Sequence, residues 1–288
     1  MIVLKIGICF AGGGIKGAAH IGALKAFEEE NIEFEYVAGT SSGSIIAVLY
    51  SLGYNSSEIY EMFKKYMNKI KYADSWNIFK LIIGLLTRGK IVINGLNSGS
   101  KIEKIVSKEC NRKNINNISE INKKVLIPSV DMCDGKIYIF SSITNRDTYS
   151  DNVIYINDIE IGKAVRASCS YPGVFSPMPY ENTYLIDGGI RENVPWKELK
   201  NSGANKVISI VFENEIKKKE EANIFDVVTK SIDILCHELS TYELEGADYL
   251  IKIRTKDIHL LDKKKFNYLY NLGYIETKGK IKEIKAML

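Results

Sequence analysis

The sequence predicts an α/β fold, and two observations predict it. Residues 3–10 (VLKIGICF) form an apolar run of strand length that passes through Gly12-Gly13-Gly14 into a helical stripe of Ile15, Ala19, Leu24 and Phe27. The same order then recurs: a short strand at 34–38, the turn Gly39-Thr40-Ser41-Ser42-Gly43, and an apolar stretch at 44–52 with helical spacing. Two strands that each feed a helix through a glycine turn imply parallel neighbours with helices on the faces of the sheet, because a parallel pair needs a crossover.

The later elements follow in order. A helix is expected at 56–68, and residues 76–87 (WNIFKLIIGLLT) are short and strongly apolar, with Lys80, Arg88 and Lys90 as punctuation. A helix at 98–110 and a polar, asparagine-rich 111–122 precede two β-rich runs, 125–131 and 136–141, around Asp134-Gly135, which is a good hairpin signal. Residues 159–168 read as helix, 184–186 as a brief strand, 206–212 (KVISIVF) as a core strand and 224–245 as a long amphipathic helix. A last strand is expected at 249–253 and mostly helix at 262–286. No internal repeat, low-complexity tract or proline-rich linker marks a domain boundary.

The chain of 288 residues carries 39 Lys+Arg against 35 Asp+Glu, with 45% hydrophobic and 26% charged residues. That is the make-up of a globular protein long enough to bury a large core. The formal charge of +4, with only short basic clusters such as 217–219 and 263–265, argues against an extended nucleic-acid surface. Cys9, Cys110, Cys133, Cys169 and Cys236 are odd in number and contain no CxxC pair, so neither a disulfide framework nor a zinc site is expected, and a reducing compartment fits. The first residues lack the segments of a signal peptide, and nowhere do about 18 apolar residues run together, the minimum for a spanning helix. A cytoplasmic protein is therefore expected, with any membrane contact peripheral.

The sharpest chemical signal is the GxSxG at 39–43, at a strand-to-helix junction. A nucleophile elbow holds its serine on a tight turn whose flanking glycines avoid the neighbouring helix and strand. The helix that follows directs its amino-terminal dipole at the place where negative charge develops in acyl transfer. Alone, the pattern is equally a serine cap in a glycine turn; its strand and helix context favours the elbow.

A serine hydroxyl needs a base. The histidines are His20 in the first helix, His237 in the long amphipathic helix and His259 in a loop. The order Ser41, Asp187, then His237 or His259 is that of an α/β-hydrolase triad, but in that fold several strands precede the elbow, and here a single strand–helix unit does. The other candidate is Asp187 itself, at the end of an apolar strand and followed by Gly188-Gly189. A carboxylate of ordinary pKa, about 3.9, is a weak base, so it would need a dry site that raises its proton affinity. The bland reading is an Asp-Gly turn.

Gly12-Gly13-Gly14-Ile15-Lys16-Gly17 fits two chemistries. As GxGxxG after a strand it suggests a dinucleotide site, which wants an acidic residue at the end of the second strand; that end is Val37-Ala38. As an oxyanion hole it offers consecutive bare amides, each worth about 3 kcal/mol in the transition state. Parallel pairing would bring the loop and Ser41 to the same sheet edge.

Three motifs in one order, 12–17, 39–43 and Asp187-Gly188-Gly189, resemble the patatin-like phospholipases, and residues 167–177 (ASCSYPGVFSP) look like the family's segment upstream of its aspartate. The resemblance covers about 3–195 and implies a single three-layer α/β/α domain with a mainly parallel central sheet, residues 1–200 as the catalytic core and 201–288 completing the same domain. It implies a Ser-Asp dyad of Ser41 and Asp187, with Gly12, Gly13 and Gly14 near the oxyanion and Gly13 and Gly14 the better placed donors. Lys16, Gly17, Gly39, Gly43, Gly188 and Gly189 are implied as supporting motif residues, Lys16 fixing the loop unless it is merely an exposed lysine. No metal or cofactor is implied.

The expected function is hydrolysis of lipid acyl esters, on phospholipid or lysolipid, at a membrane surface. The alternative is a lipid-surface binding or scaffold protein of the same fold. Trp76, Phe79, Leu81, Ile82 and Leu85 offer a peripheral membrane contact or a core helix, and lysines 278, 280, 282 and 285 offer attraction to anionic lipid or a solvated face.

Overall fold

Burial on two sides begins with the first strand, β1 (Ile6–Phe10): Ile8 and Phe10 join one core cluster, while Cys9 and the following Ala11 join another. A strand covered on both faces lies inside a sheet flanked by helices. The computed structural model, which describes residues 4–70, 80, 94–143, 152–213, 224–255, 258 and 260–288, has that form. α1 (Gly17–Glu28) crosses over to β2 (Tyr36–Gly39), which pairs parallel to β1 with Ile8 beside Val37. α2 (Ser42–Ser51) follows, then α3 (Ser56–Met67), opened by a capping box between Asn55 and Glu58.

α4 (Ser100–Arg112) leads to the hairpin β3 (Lys124–Asp131) and β4 (Ile137–Ser141), in the register Val130 beside Ile137. The expected turn is there, with Gly135 at φ 76°. β5 (Val153–Ile156), α5 (Ile161–Ser168), β6 (Met178–Tyr180) and β7 (Thr183–Asp187) come next. The chain ends with α6 (Trp196–Asn201), β8 (Lys206–Glu213), α7 (Ile224–Glu243), β9 (Tyr249–Arg254), α8 (Phe266–Lys278) and α9 (Ile281–Met287).

The sheet order is β5-β4-β3-β2-β1-β8-β9, with β6 and β7 attached beside β3. The run from β3 to β9 is parallel, and β4, β6 and β7 supply the antiparallel pairings. The larger core packs α1, α2, α4, α5, α8 and α9 on one face, and the smaller packs Trp196 and Leu199 of α6 on the other. Sequence periodicity does not reveal β5, four half-buried residues, or β6, three residues around a proline. Residues 76–79 and 81–87, His259 and 217–219 lie outside the described residues. Among the described residues no helix is long and apolar enough to cross a membrane, and all five cysteines are unpaired.

The last helices belong to the same body. A Cβ on Gly273 of α8 would overlap the Ala19 carbonyl of α1, and one on Gly22 would overlap Tyr270, so two helix backbones touch where no side chain fits. Lys278 bonds Glu29 (2.9 Å) and Glu30 (2.8 Å), and Lys285 bonds Glu30 (2.6 Å). These two lysines of the expected basic row are thus ion-paired to the end of α1.

Candidate active site

Register along β3 explains how two distant residues meet. Its first half pairs with β2, Ala38 beside Leu126; its second half pairs on the same side with β7, Asp187 beside Ser129. β2 is parallel to β3 and β7 antiparallel, so the two strands approach head to head in one column of the sheet. Three residues of β3, about 10 Å, separate the pairing levels. Gly39, Thr40 and Ser41 enter that gap from below while β7 delivers Asp187 from above.

Ser41 occupies the elbow with φ 52° and ψ −122°, immediately before α2. Only bare backbone fits around it: a Cβ on Gly43 would overlap the Phe10 carbonyl, and one on Gly39 would overlap Gly43. The Ser41 amide donates to Ser168 Oγ (3.0 Å), and Thr40 Oγ1 donates to the Glu192 carbonyl (3.0 Å). Asp187 is 2% exposed; its amide donates to the Ser170 carbonyl and its Oδ1 accepts the Gly189 amide (2.9 Å). Oδ2 is buried with no hydrogen bond of ordinary geometry among the described residues. Burial pushes this carboxyl up to about 7, against the opposing pull of the adjacent Ser41 hydroxyl and the Gly189 amide. The Cys169 thiol, also influenced by Ser41, is pushed up to about 12 by burial and stays protonated.

The glycine loop reaches the same edge. A Cβ on Gly12 would stand 3.2 Å from Ser41 Cβ. The Gly12 amide donates to Asn193 Oδ1 (2.9 Å), whereas those of Gly13 and Gly14 make no hydrogen bond with any described residue. Ala11 O lies 2.8 Å from His20 Nε2, so the Ala11–Gly12 peptide is gripped at both its C=O and its N–H. His20 is fully buried between Phe10 and Phe212, and burial lowers it to about 4, so its ring is neutral. Lys16 is 3% exposed, which removes the reading of an exposed lysine. Gly17 backs onto Ser42, and a Cβ on Gly188 would overlap the Pro128 carbonyl of β3.

Ser41 opens onto two spaces. One is a cleft of mixed lining, about 990 Å³, that also holds Gly12, Gly13, Gly14, Asp187 and Asn193. The other is an apolar cavity of about 150 Å³ walled by Ile45, Leu49, Met62, Phe63, Val106 and Val174, among others. His237 lines the cleft, and its ring makes no hydrogen bond to Ser41 or Asp187. Among the described residues no cluster of three His, Cys, Asp or Glu side chains is arranged to hold a metal ion.

Comparisons with known proteins give the family from sequence and the fold from structure. The family model described as patatin-like phospholipase matches residues 8–200. The chain belongs to that family, whose members hydrolyse lipid esters. This patatin-like chain is 28% identical over 290 residues to the uncharacterized protein YqhO of Bacillus subtilis, covering 95% of this chain and 97% of that one. It is 28% identical over 207 residues to Lysophospholipase NTE1 of Debaryomyces hansenii, covering 72% of this chain and 12% of that much longer protein. Among solved structures, the ExoU–SpcU complex of Pseudomonas aeruginosa superposes with a TM-score of 0.54 at 18% identity, covering 97% of this chain and 51% of that one; the likeness is one of fold.

Asn193 and Arg166 lie outside every motif read from the sequence, and Ser168 lies within 167–177 without a role assigned there. Asn193 holds the Gly12 amide and is itself held by Ser240 (3.2 Å) and, through its backbone, by Glu243. Ser168 anchors Ser41, and the buried Arg166 bonds Ser170, Ser98 O and Ser176 O, fixing the segment that receives the Asp187 amide. Only the nearness of 167–177 to a recognised motif pointed their way.

Proposed function

We propose that the chain is a serine acyl hydrolase of the phospholipase A or lysophospholipase type, working by a Ser41–Asp187 dyad. In this reading Ser41 Oγ attacks the ester carbonyl carbon while its proton passes to Asp187 Oδ2, and the oxyanion is received by the Gly13 and Gly14 amides at the start of the helical turn. Collapse expels the alcohol half, which takes the proton back from Asp187. Water then attacks the acyl-Ser41 ester, gives a proton to Asp187 and releases the fatty acid, and Ser41 Oγ regains its proton. Gly12 keeps the loop in place through Asn193. Residues 201–288 belong to the same catalytic domain, since β8 and β9 extend the sheet and α8 rests on α1. The protein acts as a peripheral, cytoplasmic enzyme.

The observation that carries this reading is the position of Ser41 where a wide cleft of mixed polar and apolar lining meets an apolar cavity, beside a buried carboxyl whose Oδ2 has no hydrogen bond of ordinary geometry among the described residues. Such a junction suits an ester with one water-loving and one hydrocarbon half. A fluorophosphonate probe tests it. Wild type is expected to be labelled and to release fatty acid from a mixed lipid panel, and Ser41→Ala to do neither. A folded wild type that stays unlabelled supports the lipid-surface scaffold instead. Because the dyad and the glycine amides account for each step, turnover is expected to persist in a metal chelator.

A further inference from the structure

α7 is amphipathic with its apolar side outward. Among its described side chains the buried one is Ser240, while Leu235 is 69% and Tyr242 66% exposed, and Val227, Val228 and Ile234 are about half exposed. Its polar residues turn inward: Thr229, Asp233, Cys236, His237 and Ser240 line the two spaces that meet at Ser41. Asp233 accepts the Tyr171 hydroxyl (2.8 Å), and Ser240 Oγ accepts from Asn193 Nδ2 (3.2 Å). At about 100° per residue, Val227, Val228, Ile234 and Leu235 fall on the arc opposite Asp233 and Ser240. A helix packed on a globular protein ordinarily does the reverse. Of the nine exposed large apolar residues among those described, four are on this one helix face, and a fifth, Tyr242, is on the same helix at the rim of the cleft.

We propose that the outer face of α7 is a docking surface for a lipid bilayer. The proposal rests on the acyl-hydrolase reading and goes beyond it by naming the surface that brings lipid to Ser41. Lipid is the occupant because the helix is the wall of the reaction cleft, so whatever covers its outer face lies about one helix diameter, 10–12 Å, from the space where the ester reacts. The Val, Ile and Leu side chains of the row are of the kind that enters the headgroup and acyl boundary, with Ser231 and Glu238 the exposed polar residues on the same arc. The formal charge of +4 adds weak attraction to an anionic leaflet.

Binding is measured with the full chain carrying Ser41→Ala, so that it does not depend on turnover, by co-sedimentation with vesicles of equal parts phosphatidylcholine and phosphatidylglycerol. Val228→Glu with Leu235→Glu is expected to weaken binding by about tenfold or more, given the apolar area lost, while Ile275→Glu, an equally exposed site on α8, leaves it unchanged. Thermal unfolding of each variant checks the fold. A single Leu235→Trp, which adds no charge, is expected to shift its fluorescence to shorter wavelength when vesicles are added. Vesicle binding that ignores the double substitution, or a Trp emission that ignores vesicles, overturns the proposal. So does a concentration-dependent dimer that the same substitutions dissolve, since the face would then bind a second copy. Failure of the hydrolase reading shows separately, as fluorophosphonate labelling or ester cleavage that does not depend on Ser41.

Discussion

Ser41 combines a side chain with a backbone conformation that favours glycine, φ 52°. Such a residue stores about 1–3 kcal/mol of strain. Ser41→Gly is therefore expected to raise unfolding stability by about 1 kcal/mol while abolishing turnover, a trade measurable by denaturant titration beside an ester assay. Asp187 carries a second such conflict. Its carboxyl sits near 7 because it is buried, so the native state holds its proton more tightly than the unfolded chain does. That contribution to stability is complete below the ordinary carboxylate pKa and is lost as pH rises through about 7. Asp187→Asn is thus expected to stabilise the protein at pH 8 by about 1–4 kcal/mol and to eliminate turnover. On the proposed dyad, kcat/KM of the wild type is expected to climb with pH through about 7, where Asp187 ionises. Glu243 is also raised to about 7 by burial, so the limb should survive in Glu243→Gln if Asp187 governs it. Asn193→Leu removes the acceptor for the Gly12 amide and is expected to lower kcat by about 10–100-fold with KM nearly unchanged, as loss of loop placement does.

At the scale of elements, the elbow depends on how closely β1 and α2 approach. Gly43→Ala thrusts a methyl into the Phe10 carbonyl and is expected to cost about 3 kcal/mol, read as a lower unfolding midpoint. The same tight fits are why this part of the molecule is legible in the sequence: a strand, a glycine where no side chain fits, and a helix leave a local pattern. β5 and β6 leave none, because their pairing at a sheet edge asks for neither alternation nor length. Lys16 looks like a solvated lysine in sequence and is buried, since its environment is made by distant chain. Asn193, Ser168 and Arg166 act on partners whose positions follow from register along β3 and from α7, which no local pattern records. The glycine loop reads in sequence as a candidate donor cradle, and the tie of Gly12 to Asn193, which leaves the next two amides open among the described residues, depends on a contact 181 residues away in sequence.

On the scale of the whole molecule, the family match ends at residue 200 but the sheet does not. β8 lies against β1 in the register Ile8 beside Ile208, and α8 covers α1. A chain cut after Asn201 would bare one full side of the strand that leads into the glycine loop. Such a chain is expected to be cleaved readily by protease and to lack the fluorophosphonate labelling of the full-length protein, whereas a self-sufficient core would resist and label.

The two spaces that meet at Ser41 also bear on how products leave on the proposed reading. After cleavage the alcohol half faces the wider, more polar of the two openings and departs freely, but the fatty acid must withdraw its tail from a hydrocarbon sleeve. Each methylene drawn back into water costs about 0.8 kcal/mol, roughly a fourfold slower exit per carbon. Lengthening the tail within the sleeve should hand the slow step from bond breaking to escape, visible in stopped-flow as an initial burst that sharpens with chain length and fades when detergent micelles carry the acid away.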